Sequence, residues 1–240
     1  MIIGFSGKKQ SGKTTAGNFI TSVYMANMDI CQSITLNDQG HIEVSDILGN
    51  TAYKGVWDIS NLNKKDYILN RLAEKLYPTV RLYNFADVLK QDICMNILGL
   101  TYEQCYGSDD EKNKLTDMVW ENNRLSSRDI MQFIGTDVFR KLKPDIWVDA
   151  TISKISRDKP KLAIITDCRF PNEVESIKKA GGKVIRLTRA PFDSDHVSEN
   201  ILNQENYDWS NFDHIIDNKD MSIYEQCVEI EKILIEVLSL

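Results

Sequence analysis

The run Gly7-Lys8-Lys9-Gln10-Ser11-Gly12-Lys13-Thr14 fills every fixed position of the pattern GxxxxGK[ST]. The chemistry of that pattern is the holding of phosphate. Glycines let the backbone curl until successive N–H groups face an oxyanion, and a helix opening near Gly12 adds the positive end of its dipole. Lys13 supplies a cation between phosphates, and Thr14 offers a hydroxyl to Mg²⁺. Gly7, Lys8, Ser11, Gly12 and Thr15 complete the expected phosphate-binding set. Taken alone, the run could be a Gly- and Lys-rich surface turn. Its setting argues otherwise, because it lies between an apolar strand at residues 2–6 and a helix carrying Phe19, Ile20 and Val23 on one face.

A phosphate loop needs a carboxylate at a neighbouring strand end to hold the hydrated metal. Asp167, directly after Leu162-Ala163-Ile164-Ile165-Thr166, is the candidate, with Thr14 as the second oxygen donor. An aspartate that merely starts a turn after a buried strand is the plainer reading. Arg169 lies two residues further on, and Arg189 follows the strand Lys183–Leu187, so both project from the same sheet edge. Guanidinium groups stay ionised and grip phosphoryl oxygens bidentately, and one of them can contribute on the order of 10³–10⁵ in rate. Two surface ion pairs would be the alternative. The polar stretch Asp193-Ser194-Asp195-His196-Val197-Ser198-Glu199 could close as a lid within 189–211, with His196 near a phosphate, or be a solvated loop.

These groups must be positioned by alternating strands and helices. Strands are expected at residues 2–6, 80–85, 162–166, 183–187 and 214–216. The helix after residue 85 carries Leu89, Ile93 and Ile97, and Ser126 or Ser127 caps another with Ile130, Phe133 and Ile134. Pro171 opens a helix that stops at Gly181-Gly182, and the C-terminal helix presents Cys227, Ile230, Ile233, Leu234 and Val237. Such alternation predicts an α/β fold, a parallel sheet with helices on both faces and ligands at the carboxyl ends of the strands. We expect one domain over 1–240, with an insertion at 28–79. Within it Ile34 and Leu36, then Ile42 and Val44, flank a hairpin loop at Asn37-Asp38-Gln39-Gly40. A helical region is expected at 86–157.

Composition narrows the function classes. The chain has 240 residues, 42% of them hydrophobic, and a formal net charge of −6, which disfavours stable nucleic acid binding. Five cysteines without CxxC spacing and three histidines argue against a zinc site or a disulfide framework, and point to buried thiols in a cytoplasmic protein. No apolar run is long enough for a membrane span, and Met1-Ile2-Ile3-Gly4-Phe5 turns polar too soon for a signal peptide.

Several stretches together resemble the phage-encoded deoxynucleoside monophosphate kinases. They are the phosphate loop, Phe85-Ala86-Asp87-Val88-Leu89-Lys90, Arg128-Asp129-Ile130-Met131-Gln132-Phe133-Ile134-Gly135-Thr136-Asp137, Asp167-Cys168-Arg169-Phe170-Pro171-Asn172-Glu173 and His196-Val197-Ser198-Glu199. The central block is far more specific than the phosphate loop, and residues 28–79 match only loosely. The resemblance implies an adenylate-kinase-like P-loop fold and ATP-Mg²⁺-dependent phosphorylation of a deoxynucleoside monophosphate. It also implies a possible homodimer. Lys13, Thr14, Asp167 and Arg169 would form the catalytic centre, and Lys90, Arg128 and Gln132 would lie near the acceptor.

Read on their own, Asp87 and Lys90 begin a helix where an acceptor phosphate could sit. Arg128 and Gln132, four apart, share a helix face and could grip a phosphate and a base edge. Ordinary exposed helix positions would look the same. A kinase for another phosphorylated metabolite, such as dephospho-coenzyme A, would keep the same core. A GTPase switch is suggested by Asn63-Lys64-Lys65-Asp66, which matches NKxD but precedes the second core strand instead of following a late one.

Overall fold

A computed structural model describes residues 1–48, 51–57, 67–192 and 197–238. The strands in chain order are β1 (Ile2–Ser6), β2 (Ser33–Leu36), β3 (Ile42–Leu48), β4 (Thr51–Trp57), β5 (Val80–Tyr83), β6 (Leu115–Trp120), β7 (Asn123–Ser126), β8 (Leu162–Cys168), β9 (Lys183–Leu187) and β10 (His214–Ile216). Two compact units divide the chain, one formed by Met1–Asn84 with Ile155–Leu240, the other by Phe85–Lys154.

The first unit is built on a five-stranded sheet in the order β10-β9-β1-β8-β5, every pair parallel. Its strands are apolar on both sides, as a sheet covered on both faces requires: all of β1 is buried, and so is all of β8 except Asp167. Register assigns the faces. Leu82 pairs with Ile164, and the helix Lys13–Asn27 lies over both at Gly17. Gly4 pairs with Ile165 and Val184, and Ile177 of the helix Pro171–Lys179 packs on that opposite face. Ile3, Phe5, Ile20, Ile164, Ile230 and Leu187 belong to one buried cluster, each such side chain worth about 1.5–3 kcal/mol.

The stretch expected as an insertion extends beyond a hairpin. Strands β2, β3 and β4 form a three-stranded antiparallel sheet, and Ile42, Val44 and Trp57 join the main core. The 37–40 turn sits where alternation placed it, with Gly40 at φ 77°. Asn63–Asp66 lies outside the described residues.

In the second unit Cys94, Leu100, Cys105 and Ile130 form a small core. Thr101, Ser108 and Ser126 each cap a short helix through a reciprocal capping box, so Ser126, not Ser127, is the cap. Two helices, Val88–Ile97 and Phe133–Arg140, are wound as π-helices. One departure from the expected stripe is Ile97, the last residue of its helix, which is 71% exposed. The region also holds the antiparallel hairpin β6–β7, which helical periodicity does not reveal. All five cysteines are buried and none is in a disulfide. No described helix is long and apolar enough to cross a membrane.

Candidate active site

At the carboxyl ends of β1, β8 and β5 the first unit opens into a cavity of about 450 Å³. Ser11, Gly12, Lys13, Thr14, Thr15, Asp167, Arg169 and Arg189 line it, together with Gln10, Gln39, Asn84, Thr166 and Ile223. The residues of the first group come from separate stretches of the sequence, and the sheet brings them to one place. Gly7 and Lys8 stand behind the lining and act through their carbonyls. Nζ of Lys13 donates to Gly7 O at 2.8 Å, to Lys8 O at 2.6 Å and to Ser11 Oγ at 3.3 Å. The lysine is thus tied to its own loop and only 6% exposed. Burial, with the nearby Arg169 charge second, lowers its pKa to about 7.

The loop is turned by Gly12, whose φ of 94° favours a residue without Cβ, and a Cβ there would also meet the Gln226 carboxamide at 2.4 Å. That neighbour belongs to a pair of buried amides that sequence reading missed. Asn218, 0% exposed, donates from Nδ2 to Ser11 O at 2.8 Å and to Gln226 Oε1 at 2.7 Å. Gln226 in turn donates to Gly12 O at 3.1 Å. Asn218 Oδ1 accepts from Arg189 N at 2.9 Å, and its carbonyl accepts from Arg189 Nε at 3.0 Å. The second guanidinium arm of Arg189 donates to Met221 O. The C-terminal segment therefore latches both the loop and the arginine. No sequence motif announces it; the only hint is a polar Asn two residues past a strand end.

Asp167 owes its position to a break in the strand ladder. Gly4 pairs with Ile165 and Ser6 with Cys168, so β8 takes three steps where β1 takes two. This bulge re-aims one side chain, as bulges beside active sites commonly do. Cys168 stays buried beside Ser6, and its thiol is pushed well up by burial. Asp167 is released toward the cavity, beside Thr166, whose hydroxyl donates to Asn84 Oδ1 at 2.8 Å.

Arg169 is held by Glu199, which accepts its guanidinium and also the Lys9 backbone N–H at 2.6 Å. Glu199 closes the stretch that sequence offers as a lid or a solvated loop, of which 193–196, including His196, lie outside the described residues. Behind the cavity an arginine that sequence reading missed, Arg186, is 4% exposed. It donates to Ser6 Oγ at 3.0 Å and lies over the rings of Trp209 and Phe212 at 5.3 and 5.7 Å. Burial lowers its pKa.

Asp87, Lys90, Arg128 and Gln132 lie in the second unit. Asp87 accepts from the Tyr106 hydroxyl at 2.8 Å, and Lys90 stands 4.5 Å above the Tyr106 ring. Burial, then the Asp87 charge, pushes the Tyr106 hydroxyl's pKa upward. Arg128 pairs with Asp109 at 2.7 Å and donates to Asn113 at 2.8 Å. Gln132 ends the helix Ser127–Gln132, on which Arg128 also lies.

Comparison with known proteins points the same way as this geometry. A family model for deoxynucleotide monophosphate kinases matches residues 1–226. A putative deoxynucleotide monophosphate kinase of Acanthamoeba polyphaga mimivirus is 30% identical over 133 residues, 48% of this chain and 65% of the relative. A deoxynucleoside-5′-monophosphate kinase of Escherichia phage T5 is 39% identical over 56 residues, 23% of this chain and 22% of that protein. The chain thus spans somewhat under two thirds of the first relative's length and about a fifth of the second's.

Proposed function

The chain belongs to the deoxynucleotide monophosphate kinase family, and on that premise we propose that it transfers the γ-phosphoryl group of ATP to the 5′-phosphate of a deoxynucleoside monophosphate. The observation that carries this reading is the convergence of Lys13, Thr14, Asp167, Arg169 and Arg189 on one cavity at the carboxyl edge of a parallel sheet.

An acceptor phosphate is already anionic at neutral pH, so the transfer asks for no general base. What it asks for is alignment of two polyanions and neutralisation of their repulsion. In our reading Lys13 moves its charge from loop carbonyls to donor phosphate. Arg169 and Arg189, fixed by Glu199 and by the Asn218 segment, face the transferred group. The hydroxyl of Thr14 and the carboxylate of Asp167 are hard oxygen donors on one cavity, which suits Mg²⁺, an ion commonly bound by one or two protein oxygens besides phosphates. When bound, that ion would neutralise charge on the donor phosphates. Asp87, Lys90, Arg128 and Gln132 we assign to the acceptor. The partners are then small nucleotides, and a cytoplasmic setting supplies both donor and acceptor.

A panel of deoxynucleoside and nucleoside monophosphates assayed for ADP release with ATP-Mg²⁺ tests the proposal. Turnover with at least one deoxynucleotide, and less with its ribose counterpart, is expected. Turnover with dephospho-coenzyme A or another metabolite, and with none of the nucleotides, would overturn it.

A further inference from the structure

The β2–β3 hairpin reaches the phosphate cavity, although its sequence carries no nucleotide-binding pattern. Gly40 is buried, and its carbonyl accepts from Asn18 Nδ2 at 2.8 Å. Asn18 lies on the helix that the phosphate loop opens. A Cβ built on Gly40 would meet Thr15 Oγ1 at 2.3 Å, so the turn rests directly on a residue of the phosphate-binding set. Its backbone is stiff. Asn37 Oδ1 accepts from the N–H groups of Gln39 and His41, both at 3.0 Å, and Gly40 N donates to Asn37 O at 2.8 Å. This fixed turn presents Gln39 to the cavity that Thr14 and Thr15 also line. Its carboxamide makes no hydrogen bond to any described residue, whereas the three cations there, Lys13, Arg169 and Arg189, are each anchored.

We infer that this hairpin tip is a wall of the donor site, and that the Gln39 carboxamide binds the donor nucleotide by donating to its phosphate oxygens. The inference rests on the kinase reading above and gives the 28–79 stretch a part in catalysis, that of carrying a neutral donor on a side element instead of on the sheet. A carboxamide can give up to two N–H bonds without adding another cation beside Lys13.

The test is direct binding of ATP to the full chain by calorimetry, alongside steady-state kinetics, for Gln39→Ala and Gln39→Glu. One lost hydrogen bond to a charged acceptor should raise the ATP Kd by roughly 10–150-fold in Gln39→Ala. Gln39→Glu should raise it further, with a penalty that shrinks in salt. The acceptor KM should stay as in the parent. An unchanged ATP Kd in Gln39→Ala overturns the inference whatever Gln39→Glu does, because mere proximity lets a carboxylate repel phosphate. If the parent bound ATP but phosphorylated no deoxynucleotide, the kinase reading would fail, and the binding measurement would still decide the role of Gln39.

Discussion

In the unit formed by Met1–Asn84 and Ile155–Leu240, polar groups at the cavity are wrapped in protein. Lys13 is 6% exposed, Asn218 0% and Gln226 1%, and the Glu199 side chain is 9% exposed. In Phe85–Lys154 two of the assigned groups, Arg128 and Gln132, are exposed, and the Arg128 side chain and its ion-pair partner Asp109 are 45% and 58% exposed. This contrast separates what each region can do. Buried dipoles and charges act at low effective dielectric and are costly to leave unmatched, so the phosphate end is fixed in advance. A screened surface pair stabilises the fold by at most about 1 kcal/mol and leaves its arginine available to a ligand.

The largest effect should follow Lys13→Ala. We expect kcat to fall on the order of 10³-fold with folding retained, by single-turnover kinetics and circular dichroism. The buried amine also makes binding pH-linked. With its pKa lowered to about 7, it is mostly neutral in the free protein at pH 8, and phosphate would draw it back to the charged form. ATP binding at pH 8 should therefore take up close to one proton, and at pH 6 almost none, as measured by calorimetry in buffers of different ionisation enthalpy. Absence of uptake at pH 8 would break the contrast between a dry and a solvated region.

A smaller effect is expected for Asn218→Ala, which strips the Ser11 carbonyl, Gln226 and the Arg189 N–H of a buried partner at once. It should cost about 1–3 kcal/mol in urea unfolding and lower kcat/KM roughly 10–100-fold. Normal kinetics in a destabilised protein would show the latch to serve folding alone. Arg128→Ala should do least. We expect a several-fold rise in acceptor KM and under ~1 kcal/mol loss of stability. A large fall in melting temperature with unchanged KM would reverse the comparison for this residue.

Much of the first unit is legible from sequence, because its elements have strong local signals. The phosphate loop has a spacing that only one backbone path satisfies. The strand ending at Asp167 is a continuous apolar run, and Pro171 and Gly181 mark their helix ends through fixed or positive φ. Asn218, Gln226 and Arg186 are not legible. Each works through a partner distant in sequence, such as Asn218 with Ser11, and the same residue type on a surface would look identical. In the second unit, periodicity fails at Ile97, which is exposed at the end of its helix, and at β6–β7, where Thr116 and Met118 turn inward while Leu115, Val119 and Trp120 are exposed, so hydrophobicity does not mark the covered face.

The extra step in β8 also has a consequence for how this chain can change. A side chain's choice of sheet face is a matter of odd and even, and one surplus residue between Ile165 and Cys168 shifts the count from there on: Thr166 and Asp167 together stand opposite Phe5, and Cys168 returns to the face of Ile165. Shortening the strand by one there would leave a single place opposite Phe5, so the hydroxyl that holds Asn84 and the carboxylate beside it could no longer both stand at the cavity. The acid is specified by arithmetic as much as by identity, so in this stretch length is a more dangerous variable than composition.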